Sequence, residues 1–333
     1  MVWLEFVAAA ALIAFASMQL SKYGDVISLR TNLGGMFAGT LLLATATSLP
    51  ELLTTIASVR SGVPDLAAGN LFGSNMLNMM LLAILDLVHY RRRISRKNAE
   101  KHALSGSLSV MMISLAIFFI VANLDVQIRL GNFVVGADGL AMIIAYFMAM
   151  SLLRKQSRQL TTTVKAEEIP QDVPSLKTAL IWFGLAVIGL VIVTPWMVDS
   201  STRIAEITGL GATFIGATLV ALVTSLPEIV TTISAARMGA DDMAIGNLFG
   251  SNMFNMFSIG VADLFLLNGR FFAVIDSSFL LVGSIGLVMA VFALIATLAR
   301  LERKIWFLEI DSVALILAYF GGMALLYIRG LTP

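Results

Sequence analysis

Residues 44–55 read ATATSLPELLTT and residues 221–232 read ALVTSLPEIVTT. Each places a carboxylic acid, hydroxyls and a proline inside a stretch built otherwise of Leu, Ala, Ile and Val. In the first, Ala44, Thr47, Ser48 and Glu51 fall at i, i+3, i+4 and i+7, one face of a helix; Ala221, Thr224, Ser225 and Glu228 repeat the pattern. Pro50 and Pro227 have no N–H and clash with the carbonyl four residues back. The carbonyls near Ala46 and Thr47, and near Val223 and Thr224, therefore lose their usual partners. Proline alone would mean only a kink, but proline within a duplicated TSLPE points further. Freed carbonyls, hydroxyls and a carboxylate are hard oxygen donors. Such a set suits Ca²⁺, which takes six to eight oxygens at about 2.3–2.6 Å, and it also suits Na⁺.

A second duplicated motif supplies a facing wall. Residues 69–79 read GNLFGSNMLNM and residues 246–256 read GNLFGSNMFNM. Asn70, Ser74 and Asn78 lie at i, i+4 and i+8, with copies at Asn247, Ser251 and Asn255. Ser74, Asn78, Ser251 and Asn255 are read as ligand candidates on the inward stripe. Asn70, Asn75, Asn247 and Asn252 are read as interhelical hydrogen-bonding residues, and GNLFG as a small-xxx-small helix contact. Asp65 and Asp242 open their helices and read as N-terminal caps. Asp86, Asp138, Asp263 and Asp311 sit near run ends, where capping or gating partners are expected.

The elements that must position these residues are membrane helices. Of 333 residues, 58% are hydrophobic and 13% charged, against about 25% charged in a soluble domain. Apolar runs cover about 2–20, 34–59, 66–88, 104–124, 133–153, 176–198, 211–236, 243–267, 277–299 and 308–328; a membrane helix needs about 20 such residues. Ten spans follow. Glu5 stands where a signal peptide would carry positive charge, so the first run reads as a permanent helix. No Lys or Arg lies in the interior of any run. Glu51 and Glu228 are then intramembrane carboxylates without a protein counter-ion, functional candidates by default, and a bound cation or a proton is their remaining partner.

Basic residues separate onto two faces. Seventeen, including Arg91, Arg92, Arg93, Arg154, Lys155 and Arg303, fall on one side; Arg60, Arg129, Arg203, Arg270 and Arg329 fall on the other. The positive-inside rule puts the first group in the cytoplasm and both termini outside, a multi-pass protein of the cell membrane. This composition excludes a soluble enzyme, a disordered chain and a nucleic-acid binder. No cysteine is present, so there is no thiolate site. His89 and His102 fall in a charged loop and are poor metal candidates. Neither an HExxH motif nor a base near Ser48 or Ser225 supports an intramembrane enzyme.

The chain is written twice. Both motif pairs are offset by 177 (228 − 51), and an ungapped alignment of 39–87 with 216–264 matches 27 of 49 positions. DGLAMIIAYF at 138–147 echoes DSVALILAYF at 311–320. Residues 1–153 form one five-helix repeat, 154–175 a cytoplasmic linker and 176–333 the second repeat. Five is odd, so equivalent helices cross in opposite directions, as in many secondary transporters with a midplane site between the halves. The expected fold is an all-α membrane protein with two inverted five-helix repeats and broken helices at its core.

The paired TSLPE and GNLFGSN segments resemble the alpha repeats of the sodium/calcium exchanger family, within the wider cation/Ca²⁺ antiporter superfamily. The resemblance covers the whole chain and implies a compact prokaryotic-type member. It implies Ca²⁺ held between Glu51 and Glu228, with Na⁺ sites using Thr47, Ser48, Ser74, Asn78, Thr224, Ser225, Ser251, Asn255 and the backbone oxygens of Ala44 and Ala221. Some relatives, among them potassium-dependent exchangers, carry Asp at the position of Asn255, which weakens the case for K⁺ dependence here. The implied activity is Ca²⁺/Na⁺ antiport with no cofactor, the lipid bilayer and the two ions as partners, and neither nucleic acid nor an obligatory protein partner. A proton/divalent-cation antiporter is the alternative, and a cation channel ranks behind both.

Overall fold

The computed structural model describes residues 1–30, 43–88, 99–130, 133–160, 173–237, 241–266, 269–299, 304–305 and 308–330. In the first repeat these form α1 (Val2–Arg30), α2 (43–47), α3 (Leu49–Arg60), α4 (Pro64–Val88), α5 (Ala99–Ala122), a hairpin of β1 (Gln127–Leu130) and β2 (Phe133–Gly136), and α6 (Ala137–Leu160). In the second come α7 (Leu176–Thr208), α8 (Ala212–Ile215), a π-helical turn (Gly216–Val220), α9 (Ala221–Thr224), α10 (Leu226–Arg237), α11 (Asp241–Phe265) and α12 (Phe271–Val274). The chain then adds α13 (Phe279–Ala299), a two-residue hairpin of β3 (Lys304–Ile305) and β4 (Leu308–Glu309), and α14 (Ile310–Gly330).

Each of the ten apolar runs carries helix. By length and apolarity, six described helices qualify to cross a membrane: α1, α4, α5, α6, α7 and α13. The bent pair ending in α10 makes a seventh, and Ser312–Ile328 of α14 is a shorter apolar helix. The run expected to start at 133 opens as strand, because Phe133–Gly136 pairs antiparallel with Gln127–Leu130 before α6 begins. His102 lies inside α5 and is buried, so it is not a loop residue.

Burial sorts these helices into a centre and a rim. The apolar window of α4 is 89% buried, against 28% for α1 and 17% for α7. The rim helices expose Trp3, Phe15, Trp182, Ile188 and Trp196; helices this apolar with such residues outward face hydrocarbon. The centre is α4 crossing α11.

Equivalent helices run antiparallel. Glu5 at the start of α1 pairs with Arg203 near the end of α7. Tyr23, late in α1, stacks on Trp182, early in α7, at 6.0 Å between ring centroids. Likewise Gly106, early in α5, abuts Leu294, late in α13, while Gly283 abuts Ile117. Packing pairs also exchange with the repeats: α4 meets α13 and α14, and α11 meets α5 and α6. An exchange that returns the same contacts is a pseudo-twofold axis.

The GNLFG glycines are required by a close backbone approach. A Cβ on Gly69 would lie 2.7 Å from the Thr213 carbonyl oxygen, and one on Gly73 would lie 2.5 Å from that of Ala217. α4 therefore presses onto the turn that leads into Thr224 and Ser225. This is small-xxx-small packing, placed where it sets the position of the second motif.

The end of the bundle carrying the β1–β2 hairpin is locked by a buried ion cluster. Arg270, 4% exposed, pairs with Asp138 at 2.9 Å and bonds Asn123 Oδ1 at 3.0 Å and the Leu124 carbonyl. Asp263 accepts the backbone N–H of Gly136 at 2.6 Å and of Phe271 at 2.7 Å. The expected roles of Asp138 and Asp263 at run ends thus take a definite form, a lock joining α6, α11 and the hairpin. Asp65 differs from expectation: it accepts the Asp276 N–H at 2.7 Å and ties α4 to the loop before α13. Breaking a buried pair strands a charge, at about 3–5 kcal/mol. Arg270→Gln should therefore lower the melting temperature of the detergent-purified protein sharply, whereas Arg203→Gln, at an exposed pair, should leave it nearly unchanged.

Candidate functional site

The site starts from two breaks. In the second repeat the segments before and after Ser225 differ in direction by 48°. The turning residues are Ser48 (φ −88°, ψ 4°) and Ser225 (φ −84°, ψ 5°), two residues before each proline. The missing proline N–H and the restriction on the residue preceding it end the first segment there. Ser48 N bonds the Ala44 carbonyl at 3.0 Å, and Leu52 N then bonds the Ser48 carbonyl at 3.2 Å. Ser225 repeats this with Ala221 at 3.0 Å and Ile229 at 3.0 Å. The π-helical turn just upstream adds a local widening of a kind frequent at functional sites.

Each break aims its polar residues at the other repeat. Ser48 Oγ donates to Glu228 Oε1 at 2.8 Å, and Ser225 Oγ donates to Glu51 Oε1 at 2.9 Å. Ser225 Oγ is also 2.9 Å from Ser74 Oγ, and Ser251 Oγ is 3.4 Å from Glu228 Oε1. Thr224 donates to Asn70 Oδ1 at 2.8 Å; its counterpart Thr47 is 3.5 Å from Asn247 Oδ1. Lower on the α4–α11 crossing, Asn78 Nδ2 donates to Asn252 Oδ1 and Asn255 Nδ2 to Asn75 Oδ1, both at 3.0 Å. The two serine–glutamate bonds, the two threonine–asparagine contacts and the two asparagine pairs each exchange with the repeats, whereas the Ser225–Ser74 and Ser251–Glu228 contacts have no such copy among the described residues. Carboxylates, hydroxyls and amides of the two repeats thus meet at the α4–α11 crossing.

Ten predicted side chains come together and are buried: Glu51, Glu228, Thr47, Thr224, Ser48, Ser225, Ser74, Ser251, Asn78 and Asn255, none above 1% exposed. Among the described residues, Glu51 Oε2, Glu228 Oε2, Asn78 Oδ1 and Asn255 Oδ1 find no hydrogen-bond donor. These four oxygens are related by the repeat. None of the described ion pairs involves either glutamate. Buried carboxylates without a partner are costly, and four acceptors with surplus negative charge are what a desolvated cation requires. Serine hydroxyls orient the carboxylates through Oε1 while Oε2 is left without a donor.

Two predicted ligands are differently engaged. The Ala44 carbonyl already accepts Ser48 N at 3.0 Å and Thr47 Oγ1 at 3.3 Å; the Ala221 carbonyl accepts Ser225 N at 3.0 Å and Thr224 Oγ1 at 3.3 Å. Each oxygen thus has a backbone N–H from its own helix and a threonine hydroxyl within reach, a single proton that in Thr224 is shared with Asn70 Oδ1. Asn70, Asn75, Asn247 and Asn252 are interhelical bonding residues, as read from the sequence. Asn70 also donates to the Glu51 carbonyl at 3.3 Å, a contact no spacing rule signals. No group of three or more His, Cys, Asp or Glu that could hold a metal occurs among the described residues. The donor set is two carboxylates among neutral oxygens.

An all-α bundle with antiparallel repeats and a buried, paired-carboxylate oxygen site between them defines a membrane transporter. The sodium/calcium exchanger protein family matches residues 1–154 and 178–328, and the chain belongs to that family. The family is one of transporters, not enzymes. The chain is similar to the inner membrane protein YrbG of Escherichia coli, 27% identical over 253 residues and 74% of each chain. It is also similar to the sodium/calcium exchanger MaX1 of Methanosarcina acetivorans, 27% identical over 275 residues, 73% of this chain and 77% of that one. In fold it is similar to native YfkE, with TM-score 0.71 at 17% identity over 97% of this chain and 92% of the other. The sodium-calcium exchanger NCX_Mj soaked with 10 mM Na⁺ and zero Ca²⁺ gives TM-score 0.60 at 22% identity over 97% and 99%.

Proposed function

We propose that this chain exchanges Ca²⁺ for Na⁺ by alternating access at a single site held by Glu51 and Glu228. The observation that carries the reading is reciprocal: each repeat's serine holds the other repeat's glutamate, leaving Glu51 Oε2 and Glu228 Oε2 without a donor. The pair brings a formal charge of −2, which one Ca²⁺ or two Na⁺ neutralise. Asn78 and Asn255 Oδ1 add uncharged ligands, and Thr47, Ser48, Ser74, Thr224, Ser225 and Ser251 complete the wall. The Ala44 and Ala221 carbonyls join when Thr47 and Thr224 turn their hydroxyls away.

Coupling follows from charge. A carrier with −2 uncompensated in low dielectric does not switch, whereas either cation load removes the barrier. Repeats related by an inverted axis supply the two access states. Ten crossings in two sets of five, with both termini outside the inner membrane, complete the reading.

The test is ⁴⁵Ca²⁺ uptake into proteoliposomes loaded with Na⁺. Uptake should follow the outward Na⁺ gradient, saturate with Ca²⁺ and stop when choline replaces Na⁺. Two protons can neutralise the same carboxylates, so a proton-coupled antiporter would continue in choline under a pH gradient. A channel would conduct without any counter-ion.

A further inference from the structure

We propose that Thr54, Thr55 and Ser58 line the leg of the cation path that runs along α3 from Glu51 to the Arg60 end. All three are fully buried, and among the described residues none of their hydroxyl oxygens has a hydrogen-bond partner. A Ser or Thr in a membrane helix ordinarily bonds the carbonyl one turn back. Ser114 does so with Val110 at 2.8 Å, Thr202 with Val198 at 2.9 Å, Thr218 with Phe214 at 2.6 Å and Ser258 with Phe254 at 2.9 Å. The α3 hydroxyls do not.

Their spacing makes a line. Residues 51, 54, 55 and 58 fall at i, i+3, i+4 and i+7 on one face, and seven residues of helix rise about 10 Å. At its inner end stands Glu51 Oε2, also without a donor. Each unsatisfied buried polar atom carries its full desolvation penalty, and Val or Ala would fill the same volume without that cost. Several in one continuous stripe ending on a carboxylate are explained by a cation that exchanges its hydration shell for hydroxyl oxygens stepwise.

The second repeat lacks this line. Thr232 accepts Asn247 Nδ2 at 3.3 Å, and Ala235 stands where the first repeat has Ser58. The two legs are therefore chemically unequal, the α3 leg offering more oxygen. The inference rests on the exchanger reading for the identity of the cation, but its geometry is tested separately.

The chain contains no cysteine, so Thr54→Cys, Thr55→Cys and Ser58→Cys each carry a sole thiol. In proteoliposomes under turnover, a small cationic methanethiosulfonate should modify them at least ~10-fold faster than a thiol at Ser114→Cys, since accessibility governs thiol reactivity. Saturating Ca²⁺ should slow the reaction. The Thr54→Val/Thr55→Val/Ser58→Ala triple variant should lose about 10-fold in exchange rate while its Ca²⁺-induced thermal shift stays wild-type. Thr54→Ser and Thr55→Ser should preserve exchange. Thiols that react only after denaturation, together with wild-type transport by the triple variant, would overturn the proposal. Absence of Ca²⁺ uptake by the wild-type chain would count against the exchanger reading, while the thiol measurement would still decide whether the stripe is a path.

Discussion

Glu51→Gln is expected to abolish Na⁺-driven Ca²⁺ uptake while the protein folds and inserts normally. The amide has the carboxylate's shape, and its oxygen still accepts from Ser225 Oγ, which is 2.9 Å from Glu51 Oε1 in the wild type. What changes is charge: the pair falls from −2 to −1, and a bound Ca²⁺ is left with an excess positive charge in low dielectric. Ca²⁺ binding should weaken by at least ~100-fold, about 2.7 kcal/mol. Glu228→Gln should do the same, because Ser48 and Ser251 hold that carboxylate in the exchanged arrangement. ⁴⁵Ca²⁺ uptake and Ca²⁺-dependent thermal stabilisation read the two effects separately. Unimpaired exchange by either variant would remove the assignment.

Gly73→Val should disable the protein through structure. A Cβ at that position meets the Ala217 carbonyl oxygen at 2.5 Å and Cα at 2.6 Å, and backbone cannot step aside as a side chain does. α4 must move off the π-helical turn, which carries Thr224 and Ser225 away from Asn70 and Glu51. Overpacking costs about 1–3 kcal/mol or more, so both the melting temperature and exchange should fall. Gly184→Ala on α7 is the control: nothing lies within 4 Å of its Cβ, and relief of glycine's backbone entropy should raise stability by up to about 1 kcal/mol.

These expectations show which parts of the molecule the sequence displays. Duplicated TSLPE and GNLFGSN motifs, an odd number of runs per repeat and two uncompensated glutamates were sufficient for the inverted architecture and the central carboxylates. Local pattern carries that information, because membrane burial makes every polar residue conspicuous. Reciprocity was not legible. That Ser48 serves Glu228 and not the nearby Glu51 depends on where the pseudo-twofold axis passes, and no spacing within one repeat encodes it. The Arg270–Asp138 pair spans 132 residues, and in sequence Arg270 counts only as an outer-face charge. Thr54, Thr55 and Ser58 look like ordinary helix hydroxyls until their missing carbonyl bonds are seen. The Ala44 and Ala221 carbonyls, which the family resemblance implied as ligands, accept Ser48 and Ser225 N–H from their own helices because the break falls at serine.

In the proposed exchange cycle Ca²⁺ and Na⁺ use the same two carboxylates in turn. Equilibrium ⁴⁵Ca²⁺ binding to the purified chain at a series of Na⁺ concentrations tests it most directly. The apparent Ca²⁺ dissociation constant should rise without a plateau, with a log–log slope of about two as two Na⁺ replace one Ca²⁺. A constant unaffected by Na⁺, or one that levels off while Ca²⁺ stays bound, would contradict it.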